Sequence, residues 1–131
     1  MATEILLNDG GAPARILPFI AGEAISAGDA LSIDTSGEVV QADSGLAAGH
    51  REYMIGVSLT DTASGDVCNV VSGKGIVCNV NTADLTAGKG LKVGSTAGQL
   101  AAATAFTENV CAVCLEDTSA AGLHRVLLIG G

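Results

Sequence analysis

The chain has 131 residues, 14 acids against 6 bases, a net charge of −8, and aromatic residues only at Phe19, Tyr53 and Phe106. That length makes one ordinary domain or two small halves, and its core, built from Val, Ile, Leu and Ala, must be thin. The acidic balance and the lack of aromatic platforms argue against a nucleic-acid binder, and 18 glycines with only 2 prolines rule out collagen-like and proline-rich disordered classes.

Met1–Asp9 has no basic stretch and no long apolar run, so no signal peptide is expected. The longest uncharged stretch, Val93–Thr107, is mostly Ala, Gly and Thr and is too short and polar to span a bilayer. Synthesis in a cytosol is expected, with the four cysteines reduced.

The first twenty residues stand apart. Asn8-Asp-Gly-Gly-Ala-Pro13 separates the apolar clusters Ile5-Leu-Leu7 and Ile16-Leu-Pro-Phe-Ile20. These either pack on the chain's own sheet or form an arm, residues 1–20, that docks on a neighbour. The β domain then occupies 21–131.

Leu31, Ile33 and Val39 alternate with polar residues across Asp34-Thr-Ser-Gly37, which predicts a hairpin. The Ala27-Gly28-Asp29 step before it allows a sharp entry through positive φ. Ile55–Leu59 reads as a strand, followed by a turn over Thr60–Gly65. Asp66–Val80 is either a hairpin turning at Ser72-Gly-Lys-Gly75 or one strand kinked at glycine. In the hairpin version Cys68 would face Cys78, and a disulfide between them becomes conceivable. A second hairpin is expected at Leu91–Leu100 around Gly94-Ser-Thr-Ala-Gly98. Leu100–Phe106 is alanine-rich and can make one or two helical turns. Cys111–Leu115 and Leu123–Ile129 read as strands flanking a turn.

An internal repeat runs through these elements. Ile25-Ser-Ala-Gly-Asp-Ala-Leu-Ser-Ile matches Leu85-Thr-Ala-Gly-Lys-Gly-Leu-Lys-Val, and Ile55-Gly-Val-Ser-Leu-Thr-Asp-Thr matches Cys111-Ala-Val-Cys-Leu-Glu-Asp-Thr. The chain therefore reads as two similar β units, about 22–80 and 82–131. The expected fold is all-β, a small sandwich or barrel with an extended N-terminal arm.

Candidate chemistry is sparse. Cys111-Ala-Val-Cys114 has the spacing of a zinc or redox pair, but on a strand residues i and i+3 point to opposite faces. Buried apolar cysteines are expected, with no metal and no cofactor. Asp34-Thr-Ser-Gly37, and the Asp-Thr pairs at 61 and 117, read as turns rather than protease carboxylates. Gly73-Lys-Gly75 and Gly88-Lys-Gly90 open no helix and lack the remainder of a phosphate loop. His50 and His124 have no bracketed nucleophile and are surface or interface residues. No catalytic residue is expected, and the chain is not expected to be an enzyme. Mean hydropathy is +0.47, so excess apolar surface is expected between subunits.

Gly22-Glu-Ala-Ile-Ser-Ala-Gly-Asp-Ala-Leu31, Ile55-Gly-Val-Ser-Leu-Thr-Asp-Thr62, the following Gly65-Asp-Val, the glycine-interrupted strand and Leu85-Thr-Ala-Gly-Lys89 together resemble the capsid cement, or head-decoration, proteins of tailed bacteriophages. The resemblance spans about residues 18–130. It implies a compact β fold that assembles as a homotrimer on the outer surface of an icosahedral head and clamps neighbouring major capsid subunits. It implies no enzymatic activity, no nucleic-acid or membrane partner, and a place in the virion. On this reading Ile5, Leu6, Leu7, Ile16, Leu17 and Phe19 reach a capsid subunit or a neighbouring copy, and removing residues 1–20 is expected to spare folding. Two other classes stay open: a small cysteine-based metal or redox module, and a structural β subunit of another assembly such as a phage tail.

Overall fold

A computed structural model describes residues 5–8, 15–44, 53–103, 110–117 and 120–129. Every regular element among them is a strand. In chain order they are β1 (Leu6–Asn8), β2 (Arg15–Ile20), β3 (Ala30–Ile33), β4 (Val39–Gln41), β5 (Gly56–Ser58), β6 (Val67–Ser72), β7 (Val77–Thr82), β8 (Gly90–Val93), β9 (Leu100–Ala102), β10 (Ala112–Cys114) and β11 (Gly122–Leu128). The chain is all-β, as its alternating, glycine-punctuated pattern predicts.

Two sheets form, and they share one topology. The first runs β2-β6-β5-β3-β4 and the second runs β7-β11-β10-β8-β9, with β1 added outside β7. Sequential neighbours pair antiparallel. In the second sheet Thr82 of β7 meets Leu100 of β9 in parallel, which closes a five-stranded barrel. In the first sheet the ends meet at the counterpart position through a single parallel bridge, Ala21 to Val39. Each closure carries one further bond: Gly22 N–H donates to Val39 O at 2.8 Å, and Ala83 N–H to Leu100 O at 2.9 Å.

By this strand order the units run from β2 to β6 and from β7 to β11, dividing at Gly73–Gly75. That division settles the ambiguous stretch. β6 and β7 do not pair; the chain crosses from one sheet to the other through Gly73 and Gly75, both at positive φ. Cys68 and Cys78 consequently lie in different sheets, and both are free thiols.

The outer face of the first sheet packs against the second unit. One small cluster fills the first barrel, with Leu31, Val39, Cys68 and Val70 against Phe19. A larger one fills the second barrel with Val80, Leu91, Leu100, Val126 and Leu128. It extends to Ala30, Val57 and Val71 on the outer face of the first sheet. β3 and β5 are thus covered on both faces, and so they read as continuous small or apolar runs rather than clean alternation. The alanine-rich run corrects one expectation. Leu100–Ala102 is a strand, because its hairpin with Leu91–Val93 supplies backbone partners that a short isolated helix lacks. Phe106 lies outside the described residues.

Candidate functional site

The turn before each hairpin is built twice in the same way. In the first unit Gly28 has φ +89° and donates to Ser58 O at 2.9 Å; in the second Gly88 has φ +86° and donates to Cys114 O at 2.8 Å. Asp61 Oδ1 accepts from Ala27 N–H at 2.8 Å, and Asp117 Oδ1 accepts from Ala87 N–H at 2.9 Å. The aspartate of the recurring Asp-Thr pair is therefore a latch that ties the turn after β5 or β10 to the turn before β3 or β8. The loop between β3 and β4 is an Asx-type turn, with Asp34 Oδ1 accepting from Ser36 and Glu38 N–H at 2.8 and 3.0 Å.

A polar cleft of about 390 Å³ lies where the units meet, lined by Ser26, Asp29, Gln41, Asn81 and Leu123 among others. Asp29 is only 3% exposed. Its Oδ2 accepts from Ser26 N–H (2.9 Å) and Gln41 Nε2 (2.8 Å), and its Oδ1 from Asn81 Nδ2 at 3.4 Å. These donors bridge both units, so the carboxylate is a cross-unit stitch rather than a free base. Backbone bonds reinforce it: Asn81 N–H donates to Gly28 O, Ala30 N–H to Gly98 O, and Gly98 N–H to Ala42 O.

The second candidate is the strand β2. It pairs over its whole length with β6, from Arg15–Ser72 to Ile20–Val67. Ile16 (51% exposed) and Ile20 (45%) lie on its outward face with exposed Pro18 between them, and Val67 of β6 (55%) pairs with Ile20. Leu17 is also exposed, whereas Phe19 is half-buried against the first core. Ala21 N–H donates to Asp66 O, so by ladder alternation the N–H groups of Ile16 and Ile20 point to the open edge. Pro18 has none to offer there, which is how edge strands resist unwanted pairing. Its counterpart in the second unit is Asn79, whose N–H donates to Ile5 O at 2.8 Å.

The predicted interface residues thus divide. Ile5 is 4% exposed and lies in the second unit's core, Leu6 packs against that core, and Leu7 is exposed. Their strand β1 augments β7 of the same chain. Ile16, Leu17 and Phe19 are in the first unit. Removal of residues 1–20 would take out two strands together with Ile5 and Phe19, so the expectation that it spares folding is corrected.

All four cysteines are buried and free. Cys111 and Cys114 both belong to the second core, Cys111 just before β10 and Cys114 at its end. Their thiols donate to Leu91 O and Glu116 O. Burial pushes the Cys78 and Cys111 thiols up to about 11. Among the described residues no three His, Cys, Asp or Glu side chains converge as a metal site would require. His124 lies on β11, its Nε2 2.8 Å from Ala120 O and its Nδ1 3.5 Å from Glu116 Oε1. The bond from Arg125 N–H, with the charges of Arg125 and His124, holds Glu116 below the usual carboxylate range. His50 lies outside the described residues.

No family model and no curated protein matches the sequence. Among solved structures, the fold is similar to the N base of the head fiber protein gp8.5 of bacteriophage phi29. The TM-score is 0.69 at 16% identity, covering 88% of this chain and 94% of that one. At that identity the likeness establishes a shared fold.

Proposed function

We propose that the chain is a non-enzymatic structural protein of a phage virion that attaches to the outside of the head and cements neighbouring major capsid subunits. The observation that carries this reading is the shared fold over nearly the whole of a protein described as a head fiber base. Exposed Ile16 and Leu17 of β2, with Leu7 on β1, supply contact surface. Many copies on a symmetric shell turn individually modest contacts into firm attachment. Assembly as a homotrimer, with no nucleic-acid or membrane partner, belongs to the same proposal.

The test is co-sedimentation with expanded capsids assembled from the major capsid protein of the same phage. The wild-type chain is expected to pellet with capsids, and Ile16→Asp/Leu17→Asp to bind at least tenfold more weakly while keeping its β-sheet circular dichroism. Wild-type protein left in the supernatant at saturating capsid would refute the reading. The neighbour's description favours a second reading, a fibre base that attaches without clamping. Under that reading binding persists but capsids gain no resistance to heat.

A further inference from the structure

The two units meet head to tail. The turn Ser26–Asp29 of the first unit is seated against β7 and β11 of the second: Asn81 N–H donates to Gly28 O at 2.8 Å, and a Cβ placed on Gly28 would meet the Leu123 side chain. A heterologous contact of this kind uses two different surfaces. Because each unit carries both, the internal contact leaves one surface of each kind unused among the described residues.

The unused surfaces are identified residue by residue from the paired registers. The second unit's turn, Thr86–Lys89, has the same backbone as Ser26–Asp29. Yet Gly28 and Asp29 are buried, whereas Thr86, Ala87, Gly88 and Lys89 are all exposed, and a Cβ on Gly88 would meet nothing within 4 Å. On the other side, the first unit's counterparts of Asn81 and Leu123 are Ile20 and Val67, both exposed. The Ile20 N–H points to the open edge of β2, as the Asn81 N–H points to Gly28. Charge is complementary as well. Asp29 and Gly122 line one cleft in the internal contact; their counterparts are Lys89 and Asp66, exposed and of opposite sign.

We propose that a second copy of this chain docks on the β2–β6 face, seating its Thr86–Lys89 turn there as the internal Ser26–Asp29 turn is seated on β7 and β11. Val67 of one copy covers Gly88 of the next, Ile20 N–H donates to Gly88 O, and Lys89 faces Asp66. The contact is head to tail, so it joins copies into a ring or a continuing array. It requires no capsid; it rests on the self-assembly included in the proposed function and gives that assembly its contact, and its failure would leave attachment to capsids, read by co-sedimentation, standing.

Complementation of two one-sided variants, read by sedimentation velocity, tests it. Ile20→Asp/Val67→Asp blocks the receiving face, and Ala87→Asp/Lys89→Glu blocks the turn. All the changed residues are exposed or on turns, and circular dichroism checks that each variant folds. The wild-type chain is expected to sediment as an assembly, each variant alone as a monomer, and their equimolar mixture as a 1:1 dimer that grows no further. A monomeric wild type, an assembly that survives both variants, or two monomers that fail to pair on mixing would overturn the proposal.

Discussion

Cys78 and Cys111 show how a chemically suggestive residue is silenced by its surroundings. Burial disfavours the thiolate, which is the reactive species, and raises both thiols to about 11. Cys68 and Cys114 are equally buried. In the native protein at pH 8 none of the four thiols is expected to react promptly with a thiol-specific disulfide reagent, and all four should react in denaturant. Rapid native labelling would mean the cores are more open than described. The Asp34 turn was legible because its bonds are local, reaching only two and four residues onward. The latches of Asp61 and Asp117 were legible only as turns. Their N–H donors lie 34 and 30 residues back, and spacing alone does not encode contacts of that range.

Strands were easiest to read where one face meets a core and the other meets solvent, as in β7, whose burial alternates along its length. β2 was harder. Ile16-Leu-Pro-Phe-Ile20 is apolar on both faces, and its partner β6 lies some fifty residues on, so an arm and a strand looked alike. The duplicated hairpins were recognisable, but the seat of one unit on the other was not, because it rests on single small residues. Gly28 is one, since a Cβ there would meet the Leu123 side chain of the other unit; within the first unit Gly56 of β5 is as constrained, since a Cβ there would lie 2.5 Å from Val70 Cγ1 and 2.6 Å from Val71 O. Its counterpart Ala112 tolerates the methyl group in the second unit. Gly56→Ala is expected to destabilise the protein by about 2 kcal/mol through overpacking, measured by urea unfolding. A neutral effect would show that β6 shifts freely, contrary to its place in the packed face.

For the whole molecule, a thin core is offset by duplication. Each barrel alone has little interior, and the outer face of the first sheet completes the core of the second. Asp29, held within its own unit by Gln41, then joins the second unit through the bond from Asn81. The result is a small acidic body that displays apolar side chains on β2, the surface on which the proposed attachment depends. Cryo-electron microscopy of heads incubated with the purified chain tests the proposed attachment to the shell. Two-lobed density is expected on the outer surface, with contacts spanning neighbouring capsid subunits. Heads that remain bare at saturating protein would contradict it.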